Sequence, residues 1–290
     1  MILPTDSTES QLIKLFESSF DSAKSLWVRG FVLDGLSSIL SIAIIFTKSY
    51  ITNTFVVMII VFTLSSLVVR VSRRRTVAIA EEIRTTHLIN NGLGNEILQI
   101  DVEHYKQSLN ADSIRRFSRR PSRDSPYYDV SDPPGPERLL TMLHESAFFS
   151  WKIVKNSKLF YLGLFFYPLL LILISLLVTL ILPKSFNDGY VHAQIIQVTI
   201  AFLLGFGIFE SFLTLSKLEN DLGLLNRRLS NMRIRGIIDK QDTVIETWKY
   251  ALMQSHGEII PNRLFRQHGQ TILSEWNAVD IDIRRHSNQI

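Results

Sequence analysis

The sequence contains no cysteine, which excludes disulfides, thiolate metal sites and cysteine nucleophiles and fits a reducing compartment. It also lacks a Walker A loop, a Rossmann glycine fingerprint and a paired-histidine zinc motif. His144 and Glu145 begin an HE pair, but no histidine follows at the required spacing, so a structural or solvent-facing role is expected for His144. The histidines are scattered, and serine, histidine and acid are too common to nominate a triad without geometry. No enzymatic activity, cofactor or metal site is expected. The two halves of the chain show no sequence repeat.

Charge is missing over one long stretch. Leu159 to Leu182, LFYLGLFFYPLLLILISLLVTLIL, is 24 residues without a charged side chain, long enough at ~1.5 Å per residue to cross a hydrocarbon core of ~30 Å. Leu26–Phe46, Ile51–Val71 and Val191–Thr214 are three further candidate spans, joined in pairs by short links at Lys48 and at Pro183–Asn187. The expected fold is an all-α polytopic membrane protein with two transmembrane hairpins, four spans in all, and a helical cytoplasmic domain. Its expected segments are an N-terminal arm (1–25), a first hairpin (26–71), a helical segment with a basic loop (72–158), a second hairpin (159–214) and a coiled-coil-like, helical C-terminal segment (215–290).

Charge placement sets the expected orientation, because Lys and Arg near span ends are retained on the cytoplasmic side. Of 31 such residues only Lys48 and Lys184 fall in the short links, whereas Arg70, Arg73–Arg75, Lys152, Lys155, Lys158, Lys217, Arg227 and Arg228 flank the other span ends. Both termini are therefore expected in the cytoplasm. The first 25 residues carry Asp6, Glu9, Glu17 and Asp21 and lack a basic start and a small-residue cleavage site, so the first span is expected to remain as an anchor. A pI near 9.3 and a mean hydropathy of +0.16 fit a chain divided between lipid and water. A formal charge of +4 says little about nucleic acid.

Beyond the fourth span, Leu215, Leu218, Leu222, Leu225, Leu229 and Met232 recur at spacings of three and four, a heptad seam. The seam predicts a helix running from the bilayer into the cytosol. Two readings are open: Leu218, Leu222, Leu225 and Leu229 pack against copies of the chain, or they pack internally against the helix carrying Val77, Ala80 and Ile83. Thr243 and Glu246 have capping-box spacing, with Trp248, Ala251 and Leu252 following on one face. Pro261 breaks the next segment, Asn91, Gly92 and Gly94 mark a turn, and Pro136 suits the first turn of a helix running through Trp151.

The most unusual polar stretch is SIRRFSRRPSR, where Arg115, Arg116, Arg119, Arg120 and Arg123 lie within nine residues. Guanidinium suits bidentate phosphate recognition, and Phe117, Tyr127 and Tyr128 offer aromatic faces for a base. The alternatives are a flexible basic loop or a patch on anionic headgroups. Arg227, Arg228, Arg233 and Arg235 form a second cluster that could complete a composite polyanion site.

Charges inside spans need partners or water. Asp34, Arg29 and Glu210 lie at comparable depth near one boundary. Either Arg29 pairs with Glu210 or Asp34 and locks the first span to the fourth, or these groups form a vestibule to a pore lined by Asp34, Ser37, Ser38 and Ser41 and by Gln194, Gln197, Ala201 and Gly205. Small residues also serve ordinary helix packing.

Tyr127 to Ile153 reads YYDVSDPPGPERLLTMLHESAFFSWKI and lies directly before the second hairpin. Together with the alternation of hairpins and helical parts, this segment resembles the four-transmembrane effectors associated with SMODS-type nucleotidyltransferases in bacterial antiphage defence. It is similar also to the membrane effector of the Hailong arrangement, in which a nucleotidyltransferase makes an oligonucleotide that controls a pore. The resemblance implies a homo-oligomeric channel in the bacterial inner membrane, set by a nucleotide messenger that a partner enzyme makes. A cyclic messenger opens such an effector and a linear one holds it shut; the residues do not select between them. A membrane scaffold that recruits a partner, or a small transporter using Asp34 or Glu210, are the other classes open.

Overall fold

The computed structural model describes residues 7–45, 49–121, 128, 130–181, 208–236, 238–255, 257, 260 and 262–287. Arg123, Tyr127, Gln194, Gln197, Ala201, Gly205, Pro261 and both short links lie outside the described residues. Among the described residues the chain is all-helical, without strands. The helices are α1 (Thr8–Ile45), α2 (Ser49–Leu93), α3 (Gln99–Ser108), α4 (Ala111–Arg119), α5 (Pro136–Ile181), α6 (Ile208–Arg235), α7 (Lys240–Ser255) and α8 (Asn262–Ser287).

Contacts divide the chain into two compact units. Unit 1 comprises Met1–Lys24, Arg73–Asn156 and Ser216–Ile290, and unit 2 comprises Ser25–Ser72 and Ser157–Leu215. Helices α1, α2, α5 and α6 each contribute residues to both.

Helix ends follow local chemistry. Ser7 Oγ accepts from Ser10 N at 3.2 Å to start α1. Gly94, with φ of 72°, closes α2 in the left-handed conformation, and Asn95 N returns to Asn90 O at 2.9 Å. Pro136 opens α5, whose position is fixed by Gly135 N donating to Gly92 O at 2.8 Å. Gly92 also lies where a β-carbon would stand 2.7 Å from Leu139 Cβ and 2.8 Å from its Cα, so α2 and α5 meet there backbone to backbone. Helix α7 is capped by Asp239, whose carboxylate accepts from Gln241 N and Asp242 N at 2.9 and 3.2 Å. That corrects the expected cap: Thr243 is already inside the helix and its hydroxyl donates to Asp239 O at 2.8 Å.

Unit 1 is a helical packing built from both ends of the sequence. Leu12, Leu15 and Phe16 of α1 pack with Ile83 of α2 and with Val102 and Tyr105 of α3. A second cluster joins Phe148 and Ile153 of α5 to Ile272 and Trp276 of α8. Helix α6 enters with Leu218, Leu222, Leu225 and Leu229 buried to 6% exposure or less inside the single chain. A β-carbon on Gly223 of the same helix would meet Trp151 Nε1 at 3.2 Å. The seam is therefore filled within the single chain, and these four leucines are not a free face for self-association. On α7 the expected apolar face is split: Ala251 and Tyr250 are buried, whereas Ile245, Trp248 and Leu252 are exposed.

In unit 2, Gly30 of α1 faces Val69 of α2, with a β-carbon position 3.6 Å from Val69 Cγ1. Among the described residues, one helix is long and apolar enough to cross a membrane, Asn53–Leu93 within α2. Its apolar stretch is almost entirely uncovered, with Val57, Ile60, Leu64, Leu67 and Val68 all more than half exposed. A core helix of a globular domain hides such residues.

Candidate functional site

Four of the arginines singled out by the sequence surround one open concavity of about 350 Å³, lined by Arg115, Arg116, Arg119, Arg120 and Pro121. Arg115, Arg116 and Arg119 are carried by α4 rather than by a loop, and Arg120 is its C-cap residue in extended conformation. This helix forms because Asn110 caps it, accepting from Ser113 N at 2.8 Å. The same side chain donates to Thr76 Oγ1 of α2 at 3.0 Å and accepts from Ser22 Oγ of α1 at 3.3 Å. One amide therefore ties three helices and fixes where the guanidiniums project. Phe117 turns the other way, packing partly buried on the first core cluster.

The cluster is pre-neutralised in part. Arg115 and Arg116 both donate to Asp112, at 2.7 and 2.8 Å. Burial pushes the Asp112 carboxyl up, but hydrogen bonds from Arg116, Arg115 and Ser22 outweigh it and hold the group at about 2. Arg120 bridges to α1, with Nη2 donating to Asp21 at 3.0 Å and Nη1 3.1 Å from Glu17. Arg119 is exposed and has no ion-pair partner among the described residues. Chemically the site offers one uncommitted guanidinium beside three whose carboxylate partners a stronger anion can replace.

Tyr128 is not part of this surface. It is 7% exposed, its hydroxyl accepts from Ser146 Oγ at 3.0 Å and its ring stacks on His87, so it cannot also receive a base. In the second arginine cluster Arg227 and Arg235 are exposed, and the other two are committed elsewhere. Arg228 donates to Glu246 at 2.9 Å, and buried Arg233 reaches Asp280 of α8 and His144 Nδ1, the latter at 3.2 Å. Burial, followed by the Arg233 charge, lowers the His144 imidazole to about 3, so it is neutral and accepts from Arg233. Arg284 continues the chain of charges, holding Asp280 at 2.9 Å and Asp132 at 3.1 Å. Asp132, Arg138, Thr141, His144 and Ser146 thus use the 127–153 segment for internal anchoring.

The intramembrane candidates are rearranged. Asp34 accepts from Arg70 Nη2 at 2.7 Å, across α1 and α2 of unit 2, and not from Arg29. Arg29 is exposed and enters no ion pair among the described residues, and Glu210 is exposed near the start of α6. Ser37 lies 3.3 Å from Thr63 of α2, while Ser38 and Ser41 donate to carbonyls one turn back in their own helix, at 2.9 Å each. These serines satisfy themselves in the helix pair and do not need a water-filled lumen. The sequence marks Arg70 only as a charge at a membrane boundary and gives no site role to Asp112, Glu17, Asp21 or Asn110, whose partners lie far away along the chain or carry no motif. Among the described residues no group of histidines and acids is arranged to hold a metal ion. The chain matches no protein-family model, no curated protein and no solved structure.

Proposed function

We propose that the chain is a membrane effector whose helical unit 1 binds a phosphate-rich nucleotide messenger and thereby sets the state of an oligomeric channel. The observation that carries this reading is the concavity lined by Arg115, Arg116, Arg119 and Arg120, with Arg119 exposed and without a carboxylate among the described residues. At about 350 Å³ it lies at the small end of ligand sites, enough for a chain of phosphates rather than for an enclosed base. In this reading the protein crosses the bacterial inner membrane four times with both termini in the cytosol. The resemblance of the 127–153 segment to nucleotidyltransferase-associated effectors supplies the messenger class. Helices α1, α2, α5 and α6, which contribute to both units, supply the mechanical link, because a ligand shifts such an equilibrium only by binding one arrangement better.

The test is ionic current from the purified protein in liposomes, measured with and without candidate oligonucleotides. Nucleotide-dependent current supports a channel; saturable, gradient-driven uptake without current identifies a transporter. A membrane scaffold is the second reading, favoured by the exposed Ile245, Trp248 and Leu252 on α7, which offer a recruiting face. Binding of nucleotide without current under any condition supports that reading instead.

A further inference from the structure

Among the described residues, Arg120 alone of the four site arginines has acidic partners on a different helix. Its guanidinium meets two carboxylates one helical turn apart on α1, Asp21 at 3.0 Å and Glu17 at 3.1 Å. Lys24 joins the group 3.7 Å from Asp21. The Nη1 atom is itself enclosed, stands against Glu17 without hydrogen-bond geometry and finds no other hydrogen-bond partner among the described residues, so this half of the bridge is poorly satisfied although the side chains as a whole are part-exposed. The side chains are 31%, 27% and 34% exposed for Arg120, Glu17 and Asp21. Ion pairs this wet bias an equilibrium by no more than about fivefold each. A ligand with several linked phosphates, bound at once by Arg115, Arg116 and Arg119, therefore outcompetes them for Arg120.

Resting on the polyanion site proposed above, we infer that Glu17 and Asp21 are a built-in competitor for that site, an acidic latch that holds α1 to the end of α4 until a polyphosphate takes Arg120 from them. The ligand class is a soluble anion with two or more linked phosphates, since the concavity of about 350 Å³ is lined by four guanidiniums and has room for several phosphate groups. The latch gives the site a regulatory output: occupation releases Glu17 and Asp21 and loosens the 17–24 stretch of α1 against the end of α4.

The experiment is titration calorimetry of the full-length protein in neutral-lipid nanodiscs with inorganic tripolyphosphate at fixed ionic strength. Wild type is compared with Glu17→Gln/Asp21→Asn and with Glu96→Gln/Asp282→Asn, which removes the same charge elsewhere. The latch predicts binding about five- to twentyfold tighter in the first variant, a change of less than about twofold in the second, and loss of the gain when Arg120→Ala is added. Hydrogen exchange at α1 amides 12–24 should rise when wild type is saturated. Equal tightening in both charge variants, or unchanged exchange, overturns the latch while leaving the site. No binding by wild type or by any variant overturns the site and the latch together. In discs containing phosphatidylglycerol, unchanged affinity supports a soluble ligand, and competition by the lipid overturns that assignment in favour of a headgroup.

Discussion

Arg70 of α2 and Asp34 of α1 form the ion pair that clamps the first two helices of unit 2, 36 positions apart in sequence and 2.7 Å apart in space. Asp34 is the more enclosed partner, at 12% side-chain exposure against 33% for Arg70. Asp34→Ala should destabilise the protein in detergent by about 1–3 kcal/mol, less than a fully buried pair because Arg70 keeps access to solvent. Arg70→Gln made together with Asp34→Asn should cost less than the two singles added. Strict additivity in thermal unfolding would remove the clamp.

Within the arginine site, Arg119 should matter most for its size. The other three guanidiniums begin in ion pairs that must be given up, whereas Arg119 meets no acid among the described residues. Arg119→Ala is expected to weaken tripolyphosphate binding about tenfold, and Arg115→Ala by less. Changing all four to Ala should weaken binding by far more than any single change and flatten what salt dependence remains, since each lost phosphate contact removes counterion release. If the proposed function holds, loss of toxicity in cells carrying the quadruple variant indicates an activating messenger and unprovoked toxicity an inhibitory one. An intact salt slope would return the cluster to a bland surface role.

Leu222→Glu or Leu225→Glu places a carboxylate where the single chain leaves 0% and 2% exposure. Destabilisation above about 4 kcal/mol is expected, seen as loss of helical signal and a broadened elution profile. A folded, cooperative protein that had merely lost its oligomers would show the seam to lie between chains after all.

Gly92→Ala tests the backbone crossing of α2 and α5. The new carbon meets both Cβ and Cα of Leu139 inside 3 Å, so a backbone must move, at a cost of about 1–3 kcal/mol. Gly223→Ala presses on the Trp151 ring at 3.2 Å, where a side-chain shift relieves it. The melting temperature should fall clearly in the first variant and little in the second.

Acid should weaken unit 1 through His144. Its imidazole is held near 3 when folded and returns to 6.5 when unfolded, so the folded state binds fewer protons between those values. The stabilisation is complete above pH 6.5 and declines as pH falls toward 3, with about 2 kcal/mol lost by pH 5. Asp112 acts lower, its contribution present above 3.8 and lost as pH falls toward 2. Urea midpoints at pH 7 and 5 should converge in His144→Gln. An equal pH slope in wild type and variant would assign the acid sensitivity to other groups.

The helical character was legible because apolar runs, Pro136 and the Asn91–Gly94 turn all act locally. Helix α4 was not, since its sequence has only Ile114 and Phe117 to mark an inner face and reads as charge. Which side of the seam won was also hidden: the spacing of Leu218 to Leu229 fits another copy or another helix equally well, and only the packed chain decides. For the site, residue type identified the arginines, but not what balances them. Arg120 meets Asp21 across 99 positions and Asn110 meets Ser22 across 88, distances over which local spacing carries no information. Tyr128 misled for the opposite reason, since an aromatic beside arginines reads as a stacking platform until the ring is found against His87.

Asn110 gives the molecule a natural spectroscopic reporter. Its side-chain amide touches α1 through Ser22 and α2 through Thr76 while capping α4. The two amide protons of that single group form a resolved pair of signals in a nitrogen-correlated spectrum, with chemical shifts set by three helices at once. A ligand that moved any one of them would displace the pair, whereas a ligand resting on the surface would leave it still.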